Sequence, residues 1–430
     1  MPKSKYIKKS QRPLLMISNS SWYLNHYRKL LIIKLKKNNQ NVITLSPLDS
    51  STELLESYST HIPWRMRRHK QLNLFSTFFD FIYLTLLIKF ISPKIIHSHT
   101  MKANLLISII SSIFGIKTIF SFAGLGSLSK SKGLKKILLI VVLKIIGYFS
   151  NFERIGKFKW VRNKERVKFI FQNPNDKKFF ENHVSFFPVS NCSLILGSGV
   201  PMHYFSSNKK NYLKGKSWLN KVKNNPRIKV EFIYCGRLLK SKGIILFKDL
   251  AKNITHQKFT VFGEIDNSSS DSISSKDISI FEKNNLNLNF KGAIKDPLIN
   301  YKFKNLPIIV VPSNYGEGLS RTIVEALSLG IPIICSKSSS KGIFTNDYLY
   351  ISKSNNKKDY EECYKQIIKD YYDGILESKL KVGMKVAKRF FSEQVIVDKT
   401  YKLYLTLDKE THNSYLIKKD LKRSKNWLPT

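Results

Sequence analysis

Acidic side chains are scarce in this 430-residue chain, where 30 Asp and Glu stand against 73 Lys and Arg and give a formal net charge of +43. The shortage runs along the whole length: residues 1–200 hold 32 basic and 8 acidic side chains, and the remainder holds 41 and 22. Residues 57–152 carry thirteen Lys or Arg and one acid, Asp80. Such a segment does not collect cations. It attracts polyanions, namely a lipid headgroup layer, a diphosphate or nucleic acid. Part of the excess also has a compositional reading, because the chain is rich in Lys, Asn and Ile. Cysteine is scarce as well. Cys192, Cys235, Cys335 and Cys363 form no Cys-x-x-Cys pair, which excludes a zinc knuckle or a disulfide framework and fits a reducing cytosol. The start, Met1 to Pro13, is basic and polar and is followed only by the short apolar run Leu14 to Ser18, unlike a signal peptide. At this length two domains of about 200 residues are expected, each able to bury a full core.

The most informative stretch runs from Pro312 to Pro332 (PSNYGEGLSRTIVEALSLGIP) after the apolar run Pro307 to Val311. It reads as a buried parallel strand, a glycine loop and a helix. Ser320 is placed to cap the helix, Ile323, Ala326 and Leu327 give it an inward face, and Gly330 with Pro332 stops it. Glu317 then lies in the loop and Glu325 on the second helical turn. The helix N-terminus between them suits a phosphate, and the two carboxylates suit the hydroxyls beside it. An ordinary strand-loop-helix unit with two solvated glutamates has the same spacing.

A second strand, Ile228 to Cys235, is followed by Gly236-Arg237-Leu238-Leu239-Lys240-Ser241-Lys242-Gly243. Arg237 and Lys242, five residues apart across a turn, can both reach one diphosphate, the first as a bidentate fork and the second as a point charge. The Glu317-x7-Glu325 stretch and Gly-Arg-Leu-x4-Gly together closely resemble the donor-site signature of family 4 retaining glycosyltransferases. That resemblance implies the GT-B architecture: an α/β protein of two Rossmann-like doubly wound domains facing across a cleft. It further implies that Gly236, Arg237, Lys242, Ala293, Gly318, Leu319, Ser320 and Glu325 bind a nucleotide sugar. Arg237, Lys242 and Glu317 would then carry the catalytic stabilisation. Leu288 to Ala293 resembles the turn that reads the nucleotide base. No Asp-x-Asp occurs in the chain, and that motif is how the other large glycosyltransferase architecture holds a metal. No metal and no further cofactor are expected, the co-substrate being a nucleotide sugar with UDP as the expected nucleotide.

The first half opens with a strand at Leu14 to Ser18, a helix to about Lys37 and a strand at Val42 to Ser46, the start of a doubly wound sheet. Asn19, Trp22, His26 and Arg28 would face its ligand-binding edge, although Trp22 and His26 could equally belong to a helix packed on the sheet. His97-Ser98-His99-Thr100-Met101-Lys102-Ala103 resembles the subgroup that builds bacterial surface polysaccharides. Ala123-Gly124-Leu125-Gly126 lacks the third glycine of a dinucleotide fingerprint, having Ser129 there. It resembles instead a family loop in which many relatives place a histidine where this chain has Ala123. Asn19, His99, Lys102, Gly124 and Gly126 are therefore the expected acceptor-side residues. Leu72 to Ser92 is long enough to span a bilayer, which takes ~20 residues, but Asp80 and Lys89 would each cost about 3 kcal/mol near its centre. A helix covering the sheet, with an aromatic flank able to touch lipid, is the better reading. Leu134 to Phe149 fits both a surface-lying membrane helix and a core helix.

The expected domains are 1–205, binding the acceptor, and 206–391, binding the nucleotide sugar, with helix 392–408 crossing back and a basic, loosely ordered tail at 409–430. The Ser-rich stretch Asp266 to Asp277 is expected to be a mobile loop. The expected function is transfer of a hexose or N-acetylhexosamine to a lipid-linked saccharide (a polyprenyl diphosphate) in bacterial surface polysaccharide synthesis. The enzyme would be peripheral on the cytoplasmic face of an anionic membrane, with no nucleic-acid partner. A basic nucleic-acid-binding protein and a noncatalytic scaffold are the competing classes. The first is disfavoured because the aromatics lie in apolar runs instead of alternating with Lys and Arg on strands.

Overall fold

Short apolar runs bounded by turns become the strands of two parallel sheets, each buried on both faces. The computed structural model describes residues 12–64, 74–125, 133–155, 159–206, 229–267, 269–314, 319–340 and 343–424, with side chains in the last helix to residue 408. The chain divides into two units, one of Met1–Gln172, Asp176–Ile195 and Ile396–Thr430, the other of Asn173–Asn175 and Leu196–Val395.

The first unit contains β1 (Leu14–Ile17), α1 (Ser21–Lys37), β2 (Val42–Ser46), α2 (Thr52–Glu56), β3 (Thr60–Pro63), α3 (Leu74–Ile91), β4 (Ile95–His99), α4 (Met101–Phe114), β5 (Lys117–Phe122), α5 (Leu134–Asn151), β6 (Phe152–Ile155), β7 (Lys159–Arg162), β8 (Val167–Phe171), α6 (Pro174–His183) and β9 (Cys192–Leu194). Seven strands run parallel in the order β3-β2-β1-β4-β5-β8-β9, and β6 with β7 forms a separate antiparallel hairpin. The order reverses between β1 and β4, where Met16 pairs with His97. One face is covered by α3, α4 and α5 through Leu84, Ile88, Ile107, Ile110, Leu143 and Ile146.

The apolar helix α3 rests on this face. Asp80, the acid within it, accepts from Trp64 Nε1 at 3.1 Å and from Lys102 Nζ at 2.7 Å, so its charge is matched inside the protein. The opposite side of α3 leaves Phe75, Phe78, Phe79, Leu86 and Phe90 in solvent, Phe90 at 88% exposure. Among the described residues no helix is long and apolar enough to cross a membrane.

The second unit contains α7 (Met202–Ser206), β10 (Val230–Cys235), α8 (Ile244–Asn253), β11 (Lys258–Phe262), α9 (Ser275–Asn284), β12 (Leu288–Phe290), α10 (Pro297–Asn300), β13 (Leu306–Val311), α11 (Arg321–Ser328), β14 (Ile333–Ser336), α12 (Lys337–Ser340), β15 (Tyr350–Ser352), α13 (Lys357–Tyr372) and α14 (Ile375–Phe391), followed by α15 (Glu393–Ser424). Its six strands run parallel in the order β12-β11-β10-β13-β14-β15. The order reverses between β10 and β13, where Ile233 pairs with Ile309. Ligands of open parallel sheets sit beyond the strand ends at such a reversal.

The boundary at Leu196 falls before the expected residue 205. Val200 and Tyr204 are buried in the second unit's core. Val200 N–H also donates to Phe391 O at 2.8 Å, and Glu393 N–H donates to Val200 O at 2.9 Å, which zips the 196–206 segment to the end of α14. From Ile396 the last helix belongs to the first unit, where Ile396, Val397, Tyr404 and Leu407 pack with Leu24, Leu31 and Met16. Its backbone stays helical to Ser424, where a loosely ordered tail was expected from 409.

Candidate active site

Two chain segments meet at the strand reversal of the second unit. After β10 the backbone turns at Gly236 (φ +154°) and makes a short 3-10 turn, Lys240–Lys242, that ends on Gly243 with φ +84°. A Cβ on Gly243 would stand 2.5 Å from Pro312 O, just after β13, so only glycine admits this approach. Asn314 N–H donates to Ser241 O at 2.9 Å and joins the same two segments. Lys242 lies alongside Gly236, its Cδ 4.0 Å from where a Cβ on that glycine would be. Arg237 Nη1 donates to Asp266 Oδ2 at 2.9 Å with half of the arginine side chain in solvent.

Asp266 opens the Ser-rich stretch expected to be mobile, and several bonds tie that stretch down. Asp271 accepts from Ser241 N–H and hydroxyl, Lys240 N–H donates to Asp271 O, and Ile273 N–H donates to Leu238 O. No local pattern announces these ties, because Ser241 and Asp271 stand 30 residues apart.

Helix α11 follows β13. Ser320 stands at its N-cap with extended backbone, but its side chain makes no capping hydrogen bond, contrary to expectation. The helix is held by its buried face, Ile323, Val324, Ala326 and Leu327. Thr322 Oγ1 also donates to Cys235 O at 3.3 Å, which ties it to the end of β10. Glu325 lies one turn in, 14% exposed, and accepts from Arg321 Nε at 2.5 Å. Burial pushes its carboxyl above the ordinary glutamate range, and the Arg321 charge limits the rise. Beside it, fully buried Tyr204 donates to Asp296 Oδ1 at 3.0 Å. Burial, with the Glu325 and Asp296 charges, raises the Tyr204 hydroxyl pKa. Asp296 has φ +46° at the start of α10. Arg321, Glu325, Tyr204 and Asp296 are thus one polar cluster, of which sequence reasoning found Glu325 alone. Arg321 at the i−4 position was the signal available for its partner.

Leu319 packs against Gly197, whose Cβ position lies 2.9 Å from Leu319 Cδ2. Ala293 is exposed in the loop after β12, next to Gly292, whose carbonyl accepts from Gly263 N–H at 2.9 Å. Glu317 and Gly318 lie outside the described residues, as does Gly126 of the first unit.

In the first unit the expected acceptor-side residues fall at the ends of β1, β4 and β5. Asn19 is half-buried just after β1. Gly124 has φ +137°, and the next residue, Leu125, donates its N–H to Asp176 Oδ2 at 3.0 Å, an anchor not foreseen from the sequence. His99 is fully buried, and neither ring nitrogen has a hydrogen-bond partner among the described residues. Its ring lies 4.1 Å from that of His97 and 5.4 Å from that of Tyr23. His97 is held by the Tyr404 hydroxyl at 2.7 Å and by Ser121 Oγ at 2.8 Å. Burial, then the neighbouring charges, hold both imidazoles well below the usual histidine range. Arg28, expected at the ligand edge, is instead buried and donates to Tyr27 O and Tyr23 Oη. Trp22 is partly exposed and stacks on His26 at 4.4 Å. Lys102 is engaged by Asp80.

Two parallel-sheet units, the second with a basic turn and a helix N-terminus meeting at a strand reversal, define a doubly wound α/β protein. Known proteins extend this. The family described as "Glycosyl transferase 4-like" matches residues 14–153, and "Glycosyl transferases group 1" matches residues 218–385. The capsular polysaccharide biosynthesis glycosyltransferase CapM of Staphylococcus aureus is 25% identical over 388 residues, covering 88% of this chain and 93% of CapM. The fold is shared with sucrose-phosphate synthase of Thermosynechococcus elongatus (TM-score 0.70, 15% identity, 93% of this chain and 100% of that one). It is shared too with Anabaena HepE in complex with UDP-glucose (TM-score 0.66, 14% identity, 92% and 99%). The chain belongs to the GT-B glycosyltransferases of the family 4 type, and it is an enzyme that transfers glycosyl groups.

Proposed function

We propose that this glycosyltransferase takes a sugar from a UDP-linked donor and adds it to a lipid-linked saccharide during synthesis of a bacterial surface polysaccharide. It does so with retention of configuration, without a metal ion, and at the cytoplasmic face of the membrane. The observation that carries the reading is that the turn bearing Arg237 and Lys242, after β10, meets the β13–α11 segment at Gly243–Pro312 and at Cys235–Thr322, and that α11 carries the Arg321–Glu325 pair. The name of CapM supports the polysaccharide, and the HepE complexes with UDP and UDP-glucose support the donor.

In this reading the charge that develops on the departing diphosphate is balanced by Arg237, Lys242 and the N–H groups opening α11, donors fixed before the reaction begins. Glu325 accepts from ribose hydroxyls. Glu317 orients the donor sugar, Leu319, Ser320 and Gly318 line the phosphate side, and Ala293 faces the base. The acceptor is held by the first unit through Asn19, His99, Gly124 and Gly126, with Lys102 reaching it from its pair with Asp80. The phosphate leaves on the face that the acceptor hydroxyl enters. The lack of Asp-x-Asp in the sequence supports a site that needs no metal.

The test is release of free nucleotide from a panel of UDP-, GDP- and TDP-sugars, with and without a membrane lipid extract, in EDTA, with Glu325→Ala as control. Lipid-dependent release from one UDP-sugar, absent in the variant, is expected. Release that needs a divalent cation would remove the metal-free reading. Equal release with a soluble saccharide and no lipid would remove the lipid-linked acceptor.

A further inference from the structure

We infer that the first unit carries a docking surface for an anionic lipid bilayer, formed by the outer faces of α3 and α5 together with the β6–β7 hairpin. Its use to the enzyme rests on the proposed lipid-linked acceptor, but the surface itself is argued from side chains alone. Helix α5 turns Leu139, Leu143 and Ile146 into the core. Its other side exposes Leu134, Ile137, Leu138 and Val141, spaced three, four and seven residues apart along one stripe, with Lys135 and Lys144 also exposed. Helix α3, which like α5 packs on α4, adds its own exposed phenylalanines. The hairpin continues the surface. The Tyr148 and Phe152 rings lie 5.0 Å apart, tilted, and Phe149 meets Trp160 edge-on at 6.4 Å. Trp160 (46%) and Ile155 are exposed, and so are Arg154, Lys159 and Arg162 around them.

Apolar stripes of this extent on a protein surface mark an interaction site. Charge identifies the occupant. Of the two acids on these described elements, Asp80 is paired with Lys102, and Glu153 is partly buried, its Oε2 3.5 Å from the Cβ position of Gly115. The outward-facing charges on these elements are cationic, and the one exposed acid next to them, Glu165 in the turn after β7, is flanked by Lys164 and Arg166. A second copy would bring the same cations against them, and a wholly apolar partner would leave them desolvated and unpaired. An anionic bilayer offers phosphate at the height of the Lys and Arg head groups, and hydrocarbon just below for the Leu, Ile and Phe side chains. That is the setting in which amphipathic elements lie flat in the interface. Since no described helix can span the bilayer, attachment is lateral and reversible.

The experiment is flotation of the full chain, without donor, on vesicles of phosphatidylglycerol and phosphatidylcholine in equal parts and on phosphatidylcholine alone, at low and high salt. The proposal expects partitioning at least tenfold stronger on the anionic vesicles. It also expects a tenfold or greater loss for Leu138→Ser combined with Trp160→Ser, and recovery with Leu138→Met and Trp160→Phe. Thermal melts without lipid check that the variants fold. Absence of flotation on anionic vesicles overturns the surface, and so does flotation indifferent to both apolar replacements, which would mean simple charge adsorption. A micromolar dimer broken by the same replacements, with flotation unchanged, would assign the stripes to a second copy and also overturn it. A chain that floats as expected but transfers sugar only to soluble saccharides would leave the surface standing and remove the acceptor reading.

Discussion

Replacing Arg237 by Ala separates donor chemistry from folding. In the structure the guanidinium spends one N–H on Asp266, at 2.9 Å, with 49% of the arginine side chain exposed. An ion pair that open to water contributes about 0.2–1 kcal/mol. The second unit should therefore keep its fold, with Tm lowered by no more than roughly 4 °C. The rate should fall far more. A preorganised cation facing the departing diphosphate supplies about 2–4 kcal/mol in the transition state, which corresponds to roughly 30- to 1000-fold in kcat/KM. Asp266→Asn keeps an acceptor for the guanidinium and removes only the charge, so a loss below about 10-fold is expected, on the same 1.4 kcal/mol-per-decade scale. The assay is the initial rate of nucleotide release at subsaturating donor, paired with thermal melts of all three proteins. An Arg237→Ala enzyme within about threefold of wild type would refute the diphosphate assignment. A melting temperature lowered as steeply as the rate would show that the residue serves the fold instead.

Three further outcomes follow from the geometry. Gly243→Ala places a Cβ 2.5 Å from Pro312 O at φ +84° and should destabilise the second unit by about 2–4 kcal/mol; urea unfolding within error of wild type would contradict the close approach. Lys102→Met leaves the Asp80 carboxylate, 12% exposed, with the Trp64 N–H as its partner among the described residues; a loss of about 2 kcal/mol is expected, between the surface and buried limits, and Asp80→Asn in the same chain should restore most of it in urea melts. His97 and His99 have depressed pKa values in the fold, so below about pH 6.5 the unfolded chain binds protons that the native one does not. Stability should be complete above that pH and fall as pH drops, by up to about 1.4 kcal/mol per pH unit for each histidine. His97→Gln should flatten the slope measured by urea unfolding between pH 7.5 and 5.5, and a pH-independent wild type would contradict the burial.

Local rules made much of this molecule legible. The strands at Leu14–Ile17, Val42–Ser46 and Leu306–Val311 are short apolar runs ended by turn residues, and they fall within a residue of where the pattern puts them. The loop at Gly236 and the helix carrying Glu325 were legible for the same reason, since each is a strand end followed by glycine and a helical period. Pairings across long sequence separations were not. Nothing local says that Asp266 will hold Arg237, that Asp176 will anchor Leu125, or that Tyr204 will reach Asp296 beside Glu325. Lys102 reads as an acceptor-side cation, and nothing local says that it is also paired. Only the packing of α3 on α4 shows it neutralising Asp80, which is also what lets an acid sit within so apolar a helix. The β6–β7 hairpin is not legible locally, because its strands are four residues each and its exposed Ile155 and Trp160 break the inside-outside alternation.

The most direct measurement is calorimetric titration of the full chain with UDP in the presence of EDTA, repeated with Arg237→Ala, Lys242→Ala and Glu325→Ala. The account predicts binding by the wild type without metal, weakened about tenfold or more, that is by at least 1.4 kcal/mol, in each variant. Binding that appears only when a divalent cation is added, or that is unchanged in all three variants, would contradict it.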